Sequence, residues 1–141
     1  MNILPILLAE DFRDRPYDDA IGGKPIVKGD KIEGTVTFGH GLTNITEAES
    51  KAIVQGRCER LEAILGERIP GFDGLSANRK AALIELAYNM GVDGLLKFHR
   101  MLGALWEHDY PQAADELLES VWAKQVGPTR SERIATMIRE G

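Results

Sequence analysis

The sequence predicts an α+β protein, mainly helical, with a short first helix, a small antiparallel β lobe after it, and an all-α lobe packed on that with a cleft between. Two changes in character along the chain and its length support this reading. Glycines and β-branched residues crowd residues 16–43, whereas apolar residues from Thr46 onward recur at helical spacing. At 141 residues the chain fits one domain, residues 1–141, with a core that needs no staples. The expected parts are a first helix over 1–12, a β-rich lobe over 13–45 and a helical lobe over 46–141.

Each element has a local reason. Asn2 to Phe12 is apolar up to Glu10, and Pro5 falls in the first turn, where its missing N–H costs little. Pro25-Ile26-Val27-Lys28 and Thr35-Val36-Thr37-Phe38, set between glycines, suggest two or three short antiparallel strands. Thr46-Glu47-Ala48-Glu49 is a capping box and opens a helix expected to end at Gly66. A second helix starts near Leu75 or Ser76 and stops at Gly91. It is apolar on nearly every face, which marks it as the central buried helix. Further helices are expected near 95–107, 111–123 and 129–139, the last opened by Pro128. Trp106 and Trp122 sit among apolar neighbours, where core packing is the default.

Composition narrows the function. The chain is 43% hydrophobic and 28% charged, ordinary values for a folded globular protein. Its net charge of −5 comes with no basic block, which argues against a nucleic-acid partner. The longest apolar runs fall well short of the roughly 20 residues that span a bilayer, so no stable membrane insertion is expected. Met1-Asn2 supplies no basic region before the apolar stretch, so no secretion signal is read there. Cys58 stands alone, which excludes an intrachain disulfide and suits a reducing compartment. Three scattered histidines and one cysteine give no metal-ligand spacing, and neither a metal nor a cofactor is expected. His40 reads as a structural hydrogen-bonding residue, and His99 and His108 as surface residues. Gly39 and Gly41 flank a turn and lack the strand–loop–helix context of a phosphate loop.

Two carboxyls in contrasting settings are the candidate chemistry. Glycoside cleavage needs a protonated acid on one side of the bond and a carboxylate on the other to activate water or attack the sugar. Glu10 ends a predicted helix with apolar residues before it, where burial raises a carboxyl pKa, while Asp19 lies in a polar turn, where a carboxylate stays ionised. The bland alternative for Asp19 is an aspartate that simply caps the turn, and Asp18 is the neighbour most easily mistaken for it.

The stretch from Glu10 through Tyr17 to Asp19, followed by Thr35-Val36-Thr37-Phe38-Gly39-His40, resembles the signature of the phage-type lysozymes, which are endolysin muramidases. That family has a glutamate, eight residues, an aspartate two places after a tyrosine, and then a threonine opening a Thr-Ile/Val-Gly-aromatic-Gly-His strand. Arg79 to Ile84 with Asn89-Met90-Gly91 is similar to its central helix. Trp122, Pro128, Arg130 and Arg133 are similar to its closing pattern, so the resemblance covers roughly residues 8–135. It implies hydrolysis of the β-1,4 bond between N-acetylmuramic acid and N-acetylglucosamine in peptidoglycan. Glu10 is then the general acid, and Asp19 with Thr35 holds and activates the water. Arg130 steadies Glu10, and Tyr88 and Asn89 line the cleft. The resemblance further implies a monomer made in the host cytoplasm that reaches the periplasmic wall once a separate membrane-permeabilising protein has acted. Two alternatives stay open: a lytic transglycosylase using Glu10 alone, and a lysozyme-like module that binds peptidoglycan without cutting it.

The sequence departs from the family pattern twice. Fifteen residues separate Asp19 from Thr35, where many members have a handful, so Ile21 to Glu33 forms an insertion that extends the hairpin and brings Asp30 and Glu33 toward the site. Thr37 stands where the family usually has glycine, either narrowing the cleft floor or facing solvent.

Overall fold

The computed structural model describes residues 12–22 and 24–141, so the expected first helix, Glu10 included, lies outside the described residues apart from Phe12. The chain divides into two compact units, one ending at Lys51 and the other running from Ala52 to Gly141.

In the first unit two strands, β1 (Arg13–Asp18) and β2 (Val36–Gly39), pair antiparallel. Tyr17 lies opposite Thr37 and Asp18 opposite Val36, and a register shift separates these pairs from the Arg13–Gly39 pair. A 3-10 turn (Asp19–Ile21) ends β1. The insertion folds back along β1 without making a third strand. Ile26 N–H donates to Pro16 O at 2.9 Å and Pro25 bridges Tyr17, but Pro25 has no N–H with which to extend a ladder. Its tip is a tight turn in which Asp30 accepts from Val27 N–H at 2.9 Å and its own N–H returns to Val27 O at 3.1 Å. After β2, Phe38 and Leu42 exchange two 2.8 Å backbone bonds across Gly39 (φ 60°) and Gly41 (φ 75°). Glycine takes this left-handed backbone without steric cost.

Helix α1 (Glu47–Arg68) opens on the expected capping box. Glu49 N–H donates to Thr46 Oγ1 at 3.2 Å, and Thr46 N–H donates to Glu49 Oε2 at 2.7 Å. It does not stop at Gly66. There the missing side chain admits Asp73, whose Oδ1 would lie 3.3 Å from a Cβ. Pro70, which disfavours helical backbone in the residue before it, and Gly71 at φ 78° mark the end instead.

The second unit continues with Phe72, almost fully buried, in a short 3-10 turn, and then α2 (Ala77–Met90), capped by Ser76 and ended at Gly91. Ala82, Leu83, Leu86 and Ala87 of α2 enter the core, but Ala81, Tyr88 and Asn89 are exposed, so the helix is central without being buried on every side. Helices α3 (Val92–Leu96), α4 (His99–Trp106), α5 (Tyr110–Glu119), α6 (Val121–Val126) and α7 (Pro128–Glu140) follow. The helix expected over 111–123 is broken at Ser120, whose hydroxyl donates to Leu117 O at 2.6 Å and accepts from Ala123 N–H at 3.1 Å, closing one helix and capping the next. Pro128 opens α7 as expected.

Arg79 ties α2 to the end of α7. Its guanidinium lies 3.4 Å over the Tyr110 ring, and it donates to Ile138 O at 2.8 Å and Arg139 O at 3.2 Å, carbonyls that the helix leaves without partners. The two tryptophans part company. Trp122 packs half-buried against the core, whereas Trp106 is 61% exposed, contrary to expectation. Its ring closes over Gly71, where a Cβ would stand 3.1 Å away.

Candidate functional site

The end of β1 sorts its two aspartates. Asp18 is fully buried, and its carboxylate accepts three backbone N–H groups. Oδ1 takes those of Ala20 at 3.0 Å and Gly34 at 2.9 Å, and Oδ2 takes that of Glu33 at 2.6 Å. The Glu33 N–H does most to hold this carboxyl below the usual aspartate range, with burial pushing the other way and the Ala20 and Gly34 N–H groups adding to the stabilisation. Asp18 is thus the turn-capping residue.

Asp19 is exposed and meets Thr35 twice. Its N–H donates to Thr35 O at 3.1 Å, and its Oδ1 accepts from Thr35 N–H at 2.6 Å. Oδ2 has no hydrogen-bond partner among the described residues. One oxygen is fixed and the other is open, an arrangement that leaves a directed carboxylate available to a water or a substrate hydroxyl. Gly34 makes this approach possible, since a Cβ there would fall on Asp19 Oδ1 and lie 2.7 Å from Asp18 Oδ1.

Thr35 therefore stands beside Asp19, joined to it by backbone atoms while the residue itself is exposed. Thr37 is buried, 6% exposed, and its Oγ1 donates to Thr35 O at 3.2 Å, so the solvent-facing alternative for this residue is excluded. His40 packs its ring 5.4 Å from that of Phe12. Of the insertion's acids, Glu33 contributes its backbone N–H to Asp18, and Asp30 closes its own turn.

In the second unit, Tyr88 and Asn89 occupy the exposed last turn of α2, and Asn89 Nδ2 donates to Glu85 O at 3.1 Å. Arg130, on α7, gives Nε and Nη2 to Glu85 Oε1 at 3.3 and 3.2 Å, and Arg133 gives Nη2 to the same oxygen at 2.5 Å. Glu10, the partner expected for Arg130, lies outside the described residues. Glu85 was not among the expected site residues.

Burial acts on Glu85 most strongly and favours its neutral form, but the hydrogen bonds and charges of Arg133 and then Arg130 together outweigh it and hold the carboxyl below its ordinary value. A carboxyl lowered in the folded state contributes stability that is complete above the unfolded value of about 4.3 and is lost as pH falls through the folded one. Glu85→Gln is therefore expected to melt below wild type at pH 7, with the gap closing as pH drops well under 4; melting curves across that range check it. A gap that widens on acidification contradicts the assignment.

Among the described residues no group of three or more histidine, cysteine, aspartate or glutamate side chains is placed to hold a metal ion. No helix among them is long and apolar enough to cross a membrane.

The family model described as Phage lysozyme matches residues 8–137. Two proteins of Dictyostelium discoideum, probable T4-type lysozyme 2 and probable T4-type lysozyme 1, are each 34% identical to the chain over 70 residues. That segment is 50% of this chain and 41% of each relative, so the match spans less than half of the relatives' length.

Proposed function

Because the chain belongs to the phage lysozyme family, we propose that it is a muramidase that hydrolyses the β-1,4 bond between N-acetylmuramic acid and N-acetylglucosamine in peptidoglycan. Glu10 protonates the leaving oxygen, and Asp19 with Thr35 orients and activates the attacking water. Arg130 steadies Glu10, and Tyr88 and Asn89 contact the glycan. The observation that carries the reading is the Asp19 carboxylate, exposed yet pinned through Oδ1 to the Thr35 N–H, with Oδ2 open to accept a proton from water. The test is release of new reducing ends from purified peptidoglycan by wild type and Glu10→Gln. The reading requires release by the first and a loss of at least about 100-fold in the second.

Two threonines stand near the aspartate. Thr35 is exposed and engages Asp19 through its backbone, whereas Thr37 is buried with its hydroxyl donated to Thr35 O, which supports the Thr35 hydroxyl as the one that helps hold the water. Thr35→Val and Thr37→Val separate the two. The variant whose hydroxyl positions water is expected to lose about tenfold or more in kcat, equivalent to roughly 1.4 kcal/mol of transition-state stabilisation, while the other stays within about twofold.

The protein in this role acts as a monomer on the periplasmic wall, after synthesis in the host cytoplasm and opening of the membrane by a separate protein. A host expressing it alone is expected to hold its turbidity until a permeabilising agent is added. Prompt lysis without one contradicts this.

A further inference from the structure

After Asp19 the chain leaves for fifteen residues and returns at Thr35 to hydrogen-bonding distance of its point of departure. Closing an excursion of that length costs entropy, and the return needs something to fix it. The turn at Val27–Asp30 is local and pins only itself. Ile26 N–H ties the outgoing part to Pro16 O, and the β1–β2 ladder holds the return from Val36 onward. Just before that ladder, the N–H groups of Glu33 and Gly34 both end on one side chain, that of Asp18. The same carboxylate also holds Ala20 N–H, on the outgoing side, at 3.0 Å. A fully buried carboxylate is costly unless charge-assisted hydrogen bonds satisfy it, and here three do so by joining the two ends of the insertion. The next residue after that clamp is Thr35, whose N–H reaches Asp19 Oδ1.

Building on the reading in which Asp19 activates water, we propose that Asp18 is a positioning residue for it. By gripping Glu33 and Gly34, it sets Thr35 N–H against Asp19 Oδ1 and so fixes the direction in which Oδ2 faces. Asp18 takes no part in the chemistry, and its buried oxygens are occupied by backbone donors. The clamp answers a need created by the insertion, because a tight turn would bring residues 19 and 35 together without it.

Asp18→Asn is the informative substitution. Its amide oxygen can still accept from Ala20 and Gly34, but its NH₂ then faces the Glu33 N–H, donor against donor. Asp30→Asn, which alters the turn at the tip of the same insertion, is the control for general loosening.

The experiment measures kcat and KM on purified peptidoglycan together with the Thr35 amide proton by NMR, in wild type, Asp18→Asn, Asp30→Asn and Asp19→Asn. Asp18→Asn is expected to lose about 10- to 100-fold in kcat with KM within about twofold, the signature of a displaced catalytic group. Its Thr35 amide should lose the downfield shift of a carboxylate-bonded N–H and exchange faster, while Asp30→Asn matches wild type on both counts. Wild-type kcat and an unmoved Thr35 amide in Asp18→Asn overturn the proposal. If Asp19→Asn itself keeps its activity, the water-activating reading falls, and the Thr35 amide still decides whether Asp18 sets the pair. Should Asp18→Asn fail to fold, amide exchange in wild type decides. Glu33, Gly34 and Thr35 must exchange more slowly than Lys31 and Ile32, and equal rates overturn the clamp.

Discussion

Asp19→Asn is expected to lower kcat on peptidoglycan by at least about 100-fold, the usual scale for removing a general base, and to leave the melting temperature within about 2 °C of wild type. The two halves of this expectation come from the same geometry. Asparagine keeps an oxygen that can accept the Thr35 N–H, so the local hydrogen bond survives. Asp19 is exposed and carries none of the buried backbone donors that Asp18 satisfies, so removing its charge leaves no orphaned group. What disappears is the anionic oxygen that can take a proton from water. A steady-state assay paired with a melting curve checks both halves. A variant that melts far below wild type would mean that Asp19 is a structural turn residue, and one with full activity would remove it from the mechanism.

Leu86→Ala carries the largest expected effect on stability, about 3 kcal/mol and a fall in melting temperature of roughly 10 °C. Leu86 is fully buried on α2, in a core cluster that also includes Leu83, Leu117, Ile134 and Ile138. Truncation there loses both the transfer free energy of the removed atoms and the contacts across the cavity left behind, because a core drawn from several helices collapses only partly. Calorimetry measures the shift. A change under about 2 °C would show that α2 is not the centre of the second unit's packing.

What the sequence made legible follows how local each determinant is. The Thr46–Glu49 box, the Ser76 start, the Gly91 stop and Pro128 at the head of α7 all act within a turn of their own position, and each stands where expected. Gly66 has the composition of a helix stop, but it answers to Asp73, a neighbour brought in by the turn after the helix, and α1 runs past it. Trp106 reads as core because its neighbours are apolar, yet its ring covers the Gly71 backbone and stays largely open.

The site shows the same division. Asp19 and Thr35 stand out through the resemblance to the family signature, and the structure joins them by hydrogen bonds. The distinction between Asp18 and Asp19 is set by N–H groups arriving from Glu33, Gly34 and Thr35, across a segment with no periodicity to predict its path. Glu85 is a further case. Its grip on Arg130 and Arg133 spans 45 and 48 residues, and nothing in the local pattern of α2 separates it from a solvated glutamate.

Mass spectrometry of the glycan ends released from purified peptidoglycan tests the central claim most directly. A water-activating Asp19 and an acidic Glu10 predict fragments that end in reducing N-acetylmuramic acid, released by wild type and not by Asp19→Asn. Fragments ending in 1,6-anhydro-muramic acid, or no new ends from a folded wild-type protein, would contradict it.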